Sequence, residues 1–199
     1  MRCMEHKRAA VIGMVVLVMA TTGCSSPRAP VAPQPSGQPS ASARGSAVTT
    51  EFVSKRYGFR LALDNGWSSS DAEAVWDGKK LQGVSSPSFA DFTDPTGRAF
   101  TVGAAAVPKG TRLAAWRAAM VRGVHPGCTD TPSAKSTTLG GEPALEWTTD
   151  CGDGSHITKI AAVHGTRGYM TIFELSPSAV TAEDLRILES IRGSFQFTE

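Results

Sequence analysis

The N-terminus limits the fold of this chain more than any other part of its sequence. Residues 1–8 are rich in basic side chains, and an apolar run follows from Ala9 to Ala20. At about 12 residues this run is too short to cross a bilayer, which takes about 20, and it has the length of a signal-peptide core. We therefore predict that residues 1–23 are an export signal that contributes nothing to the folded domain.

Cys24 follows three small residues, Thr21, Thr22 and Gly23. This stretch resembles the lipobox of bacterial lipoproteins, in which the cysteine is diacylated and becomes the new N-terminus, although threonine stands where the lipobox usually has leucine. Because each buried methylene contributes about 0.8 kcal/mol, two acyl chains would hold the protein stably at a membrane. The resemblance implies a lipid anchor on Cys24 at the extracytoplasmic face of the cell envelope. The alternative is an ordinary secretory signal with cleavage elsewhere, and either one exports the chain.

The segment after Cys24 has the composition of a linker. Residues 25–48 hold five of the chain's twelve prolines amid serine, alanine and glycine, and their only charges are Arg28 and Arg44. Such a segment cannot bury enough apolar surface to offset the entropy of ordering it. We therefore expect three parts: a signal peptide (1–23), a lipidated cysteine with a disordered linker (24–48) and a single domain (49–199).

Removal of the signal also removes the net positive charge. Residues 1–23 contain Arg2, Lys7 and Arg8 but only Glu5 as an acid, and without them the basic and acidic residues are equal in number. A near-neutral domain without clusters of lysine and arginine lacks the electrostatic footprint of a nucleic-acid-binding protein. We expect no nucleic-acid partner, and membrane association only through the lipid.

Two cysteines remain in the domain, Cys128 and Cys151. An even pair in an exported protein predicts one disulfide. A bridge of this loop size stabilises a fold by about 3 kcal/mol in the chain-entropy model. A metal or redox pair is the alternative, but the spacing is far from C-x-x-C and no second cysteine pair completes a zinc site.

Strand signals dominate the domain. Apolar side chains alternate with period two in several segments, which indicates half-buried strands: Tyr57–Leu63, Arg98–Val107, Ile157–Val163 and Tyr169–Leu175. Gly140 and Gly141 separate two further strands of a predicted hairpin, 135–139 and 143–150. The segment from Val75 to Phe92 is interpreted as two short strands with loops.

Two helices are predicted among these strands. Leu113, Trp116 and Met120 recur at helical spacing in a segment from Thr111 to Arg122. Thr181 with Asp184 three residues later resembles a capping box at the start of the second helix. Together the signals predict an α+β fold: an antiparallel sheet meander with two main helices packed on it. We expect both helices on one face, with Trp116 between them.

A family resemblance supports this fold. The run Tyr57-Gly58-Phe59-Arg60-Leu61, followed by Gly66-Trp67, looks like the start of PsbP-like domains, and Gly141-Glu142-Pro143 matches their hairpin. The order of lipobox, Pro/Ser linker and one such domain is similar to that of small actinobacterial lipoproteins of the LpqN type. The resemblance implies a non-enzymatic accessory or binding domain and supplies no catalytic residues.

The residues themselves show no catalytic or cofactor motif. The sequence has no G-x-S-x-G, no S-x-x-K and no glycine-rich nucleotide loop. His125, His156 and His164 are not spaced as metal ligands, so we predict neither a metal nor a cofactor. Paired carboxylates meet in space rather than along the chain, and the hairpin offers four candidates for a hydrolase: Glu142, Glu146, Asp150 and Asp153.

Three functions therefore stay open. The first is a non-catalytic envelope domain that binds a protein or a cell-wall component, and Trp76, beside Asp77 and Lys79, is its candidate exposed contact residue. The second is a carrier of an apolar ligand between helices and sheet, where Ala104–Ala106 would leave room. The third is a small hydrolase built on the hairpin carboxylates.

Overall fold

The computed structural model describes residues 49–79, 86–121, 127–175 and 180–198. Eleven strands and two helices lie in these ranges. The helices are α1 (Leu113–Val121) and α2 (Ala182–Ser194). The strands are β1 (Thr49–Ser54), β2 (Phe59–Asp64), β3 (Ser68–Ser70), β4 (Ala90–Thr93), β5 (Ala99–Ala106), β6 (Cys128–Asp130), β7 (Lys135–Leu139), β8 (Glu142–Cys151), β9 (His156–His164), β10 (Arg167–Leu175) and β11 (Gln196–Phe197).

The strands form two antiparallel sheets. In the described part of the chain, the central sheet has eight strands in the order β3-β4-β5-β10-β9-β8-β6, and β7 also pairs with β8. The smaller sheet has the order β1-β2-β11. The predicted α+β fold, an antiparallel sheet with two helices packed on it, is confirmed.

The helices lie on opposite faces of the central sheet, so the expectation of one shared face is wrong. The α1 face includes Gly103, Lys159 and Gly168, and the indole of Trp116 lies directly over Gly168. The α2 face includes Phe100, Ile160 and Thr171, and on it lie Leu188, Ile191 and the smaller sheet. Periodicity identifies the apolar stripe of a helix but not the sheet face that receives it.

The sequence of β5 is typical of a strand whose sheet is covered on both faces. Its first seven residues, Ala99 to Ala105, are all buried, so neither face of this strand meets solvent. Strands buried on both sides carry near-continuous apolar runs rather than a polar alternation. The sequence Ala-Phe-Thr-Val-Gly-Ala-Ala in β5 is such a run.

The predicted second helix begins as its sequence indicates. The Thr181 hydroxyl accepts a hydrogen bond from the Asp184 backbone N–H, and the Asp184 carboxylate accepts one from the Thr181 backbone N–H, which completes a capping box. The interpretation of residues 75–92 is wrong in part. The strand of this region that precedes β4 is β3, at Ser68–Ser70, and the described residues 71–79 and 86–89 form no strand.

Candidate functional site

The predicted anchor, Cys24, lies outside the described residues, as do the signal and the linker. Lipidation therefore stays a prediction. In the described ranges no helix is long and apolar enough to cross a membrane.

The predicted disulfide is present. Cys128 of β6 and Cys151 of β8 are bonded, and the two residues lie directly opposite each other in the antiparallel pair. The bridge ties the short edge strand β6 to the sheet.

Trp76 is a core residue, which corrects its prediction as an exposed contact. Its side chain is only 2% exposed and lies 5.0 Å from the Phe89 ring and 5.8 Å from the Trp116 ring, centroid to centroid. The Trp76 backbone N–H donates to the Tyr57 hydroxyl at 3.1 Å. Its polar sequence neighbours Asp77 and Lys79 are exposed, whereas the Trp76 indole is buried. Among the four tryptophans, Trp67 is the half-buried one.

The space proposed for an apolar ligand is filled. Trp116 packs against Gly168 and donates its Nε1–H to the Tyr169 carbonyl at 2.9 Å. Gly78 lies close to both the Trp116 ring and Ala105, so that a Cβ at this position would be 2.9 Å from the Ala105 Cβ. Between α2 and the sheet, the void beside Leu188 is about 10 Å³, the size of one water molecule at most. The small residues of β5 therefore permit close packing at these two contacts, which does not favour the carrier hypothesis.

The three carboxylates of β8 are spread along the strand rather than brought together as a catalytic pair. Glu142, Glu146 and Asp150 recur every four residues along β8, which places neighbouring members about 13 Å apart along the strand, beyond the roughly 5–9.5 Å separation of glycosidase pairs. Each has its own partner: His164 Nδ1 at 2.8 Å, Arg192 Nη1 at 3.1 Å and His156 Nδ1 at 2.9 Å, respectively. Asp153 lies in the next turn, where hydrogen bonds from Ser155 lower its pKa. Two of these pairs join β8 to β9, and the pair of Glu146 with Arg192 joins β8 to α2.

An ion-pair network links the turn that precedes β5 to α2. Arg98 donates to Asp184 from Nε at 2.6 Å and to Asp94 from Nη1 at 3.0 Å. Burial opposes ionisation of Asp94, but hydrogen bonds from Thr96 and Arg98 outweigh it and lower the pKa of that carboxyl. Hydrogen bonds from Thr181 lower the pKa of Asp184, with Arg98 adding to the effect. Both shifts reflect structural pairing.

A second ion pair lies on the α1 face and is buried. Lys159 Nζ is 3.0 Å from Asp130 Oδ1, and the two side chains are 5% and 4% exposed. The Thr149 hydroxyl also donates to Asp130. Removal of one partner from such a pair typically costs about 3–5 kcal/mol, because it leaves the other charge uncompensated. The pair holds β6, β8 and β9 in register.

The described part of the surface carries an open polar groove beside the edge strand β3. Its volume is about 390 Å³. Its lining is dominated by hydroxyls and carboxylates: Ser68, Ser69, Ser70, Ser86 and Thr93 with Asp71, Glu73 and Asp91. No lysine, arginine, histidine or cysteine is among the lining residues described. We define this set as the β3 groove.

The walls of the β3 groove are held by the fold. Asp71 accepts hydrogen bonds from the Ser54 hydroxyl at 2.7 Å and from the Lys55 backbone N–H at 3.1 Å. The N–H groups of Glu73 and Ala74 both donate to the Pro87 carbonyl, at 2.8 and 2.7 Å. Phe89 forms part of the floor and packs so closely on Gly103 that a Cβ there would lie 2.6 Å from its ring. The groove is thus preformed.

Sequence reasoning missed the β3 groove because its lining comes from separate loop and strand segments. Residues 68–73 hold three consecutive serines, Asp71 and Glu73 directly after the Gly66-Trp67 turn. That polar run shows no alternation, so it gives no strand signal. Its concentration of hydroxyl and carboxylate groups was the one available sign. Among the described residues there is no group of three or more histidines, cysteines or acids that could hold a metal.

The comparisons with known proteins establish the fold. No family model matches the chain, and no curated protein matches it in sequence. Cyanobacterial PsbP (CyanoP) from Synechocystis is 16% identical, with a TM-score of 0.50 over 82% of this chain and 99% of that one. This likeness confirms the PsbP-like fold that the sequence predicts.

Two other solved structures show similarity at lower scores. LpqN of Mycobacterium tuberculosis, which is involved in cell envelope biogenesis, is 11% identical, with a TM-score of 0.45 over 77% of this chain and 92% of its own. The Ran-binding protein Mog1p of Saccharomyces cerevisiae is 9% identical, with a TM-score of 0.47 over 77% of this chain and 97% of its own.

Proposed function

We propose that this protein is an exported accessory domain that binds a component of the cell envelope and does not catalyse a reaction. The observation that supports this most directly is the β3 groove, whose volume of about 390 Å³ falls in the usual range of small-ligand sites. The groove is open and preformed, and its described lining offers no nucleophile–base pair involving a histidine, cysteine or lysine. In this proposal the groove binds its partner through hydroxyl and carboxylate groups and does not react with it.

The chemistry of the groove limits its partner. Carboxylates accept hydrogen bonds, and hydroxyls both donate and accept them. With three carboxylates and no described basic side chain in its lining, the groove disfavours anionic groups such as phosphates, and its polar walls disfavour acyl chains. It suits a hydroxyl-rich wall component or a polar protein segment that is neutral or basic.

The N-terminal sequence supplies the location in this proposal. Residues 1–23 direct export, a lipid on Cys24 holds the protein at the extracytoplasmic face of the membrane, and residues 24–48 form the linker to a domain at 49–199. A flexible linker of this length spans about 25–30 Å. The groove would therefore reach partners in the envelope near the membrane.

Photo-crosslinking in intact cells tests the binding surface. A photo-reactive phenylalanine derivative at Ser70, an exposed residue that lines the groove, should give a discrete high-mass adduct. The matched control is the same substitution at Ser136, an exposed serine on β7 outside the groove lining. Adducts of equal yield from both positions, or none from either, would contradict the proposed binding surface.

Fractionation of cells that produce the Cys24→Ser variant tests the anchor. The wild-type protein is expected in the membrane fraction and the variant in the soluble extracytoplasmic fraction, because two acyl chains are lost. Retention of the variant in membranes would remove the lipid from the proposal but leave the groove in place.

A further inference from the structure

Strand β6 carries two residues that contribute to the α1 face, Cys128 and Asp130. The strand is three residues long and pairs with β8 at the edge of the central sheet. Cys128 is bonded to Cys151 directly across the pair, and Asp130, two residues on, lies opposite Thr149. Residues two apart in a strand share a face. The disulfide and the Asp130 side chain are therefore on the same side of the sheet and move with the same short strand.

The ion-pair partner of Lys159 comes from β6. Within the described ranges its only ion-pair partner is Asp130, with Nζ and Oδ1 3.0 Å apart. Both side chains are buried, and a buried charge is strongly unfavourable without a partner. Lys159 lies on β9, in the middle of the sheet, so it cannot follow β6 if that strand is displaced.

Helix α1 is attached to the end of the same strand. Arg117 of α1 donates from Nη2 to the carbonyls of Thr131 at 3.1 Å and Pro132 at 3.3 Å, directly after β6. Its guanidinium carbon lies 5.2 Å from the centroid of the Trp147 ring, and Trp147 is paired with Lys159 across the sheet. The contacts of α1, the buried ion pair and the disulfide thus meet at one edge.

We propose that the Cys128–Cys151 disulfide is a redox-sensitive latch on the α1 face. A dithiol reductant, itself oxidised to a disulfide, delivers two electrons and two protons, and Cys128 and Cys151 become thiols. Without the bridge, β6 is held by its backbone pairs, by the hydrogen bonds between Thr131 and Thr148 and by the ion pair, and in the proposed opening Asp130 separates from Lys159 and Arg117 loses its carbonyl partners. The edge of the α1 face opens, while the α2 face, whose ion pairs involve Arg98 and Arg192, stays closed.

Amine acylation of the full wild-type protein tests this latch. With an N-hydroxysuccinimide acetate probe and peptide mass spectrometry, Lys159 is expected to react at least tenfold faster after reduction with dithiothreitol. Lys79 and Lys135, which are exposed, are internal standards whose rates should not change. An unchanged Lys159 rate would overturn the proposal.

Hydrogen exchange on the same samples separates latch opening from global unfolding. Reduction is expected to raise exchange in α1 and β6 while β2 and β10 stay protected. If protection is lost in all elements at once, the disulfide stabilises the whole fold rather than the α1 edge alone, and the proposal is wrong.

Charge-removal variants identify the role of the ion pair. The double variant Asp130→Asn/Lys159→Met leaves no buried charges to separate, so reduction should raise α1 exchange by a clearly smaller factor than in the wild type. The matched control Glu146→Gln/Arg192→Met removes an ion pair from the α2 face of the same sheet and should leave the factor unchanged. Equal factors in all three proteins would overturn the coupling, and if the double variant does not fold, the acylation result on the wild type decides.

Discussion

The two faces of the central sheet are stabilised in different ways. On the α2 face aromatic rings pack on one another, with Phe59 5.0 Å from Phe195 and Phe92 4.9 Å from Phe100 between centroids. The α1 face also has aromatic contacts, of Trp76 with Phe89 and Trp116, but in addition it carries a buried ion pair and two rings seated on glycines. Apolar packing is non-directional and tolerates small shifts, whereas a buried charge pair or a ring seated on a glycine depends on exact placement. On the α2 face many contacts share the stabilisation, so the loss of one has a limited effect on the free energy of unfolding. On the α1 face a single substitution can lower that free energy strongly.

The largest effect is expected from Trp116→Ala on the α1 face. The ring lies against Gly168, and its Nε1–H donates to the Tyr169 carbonyl, so truncation leaves a cavity and removes this hydrogen bond. The free energy of unfolding should fall by about 3–5 kcal/mol, as measured by urea denaturation. The control is Trp67→Ala at the half-buried tryptophan, which should cost clearly less. A loss below about 1 kcal/mol for Trp116→Ala would contradict its place in the core.

An intermediate, pH-dependent effect is expected from Asp184→Asn at the start of α2. Asp184 accepts from Thr181 and Arg98, and these hydrogen bonds lower its pKa in the folded state. Its contribution is therefore present above the pKa of the unfolded chain and is lost as the pH falls through the folded value. At pH 7 the variant should lose about 1–2 kcal/mol of unfolding free energy, as for loss of a helix cap with a charged hydrogen bond.

The pH dependence is the decisive part of that measurement. The difference in stability between wild type and Asp184→Asn, measured by urea denaturation, should shrink steadily as the pH is lowered below about 4, because the unfolded chain takes up the proton before the folded protein does. A difference that stays constant from pH 7 to about pH 2 would show that Asp184 acts through packing and not through its charge.

The smallest effect is expected from Arg186→Ala on the exposed side of α2. Its guanidinium pairs with Glu183 at 2.7 Å, and both side chains are more than half exposed. Solvent screens such pairs, so the midpoint of thermal unfolding should not change measurably. A clear decrease would mean that surface charge adds to the stability of the α2 face, and the contrast between the faces would then need revision.

The sequence predicts local features of this fold well. The capping box of Thr181 and Asp184 follows from residue types three positions apart, and the pairing of Cys128 with Cys151 follows from an even count in a chain with a predicted export signal. Helical spacing likewise places Trp116 and Met120 in the core. Each of these inferences needs only a short stretch of chain or a count.

Features that depend on distant segments are not predictable in this way. Asp184 and Arg98 are 86 residues apart, and nothing local indicates their contact. Trp76 has polar neighbours along the chain, yet Phe89 and Trp116 enclose it in space. The sheet face chosen by each helix and the β3 groove depend in the same way on how separated elements come together.

The neighbouring indoles of the α1 face also give the protein an optical reporter. Trp76 and Trp116 meet edge to face, 5.8 Å apart between centroids in a fixed asymmetric setting. Electronic transitions of two chromophores held this closely mix, so the pair contributes a circular-dichroism couplet that isolated indoles do not show. Because Trp116 belongs to α1 while Trp76 belongs to a loop, the couplet fades when the helix lifts from the sheet. Circular dichroism of the unlabelled protein should therefore report whether α1 is packed on the sheet.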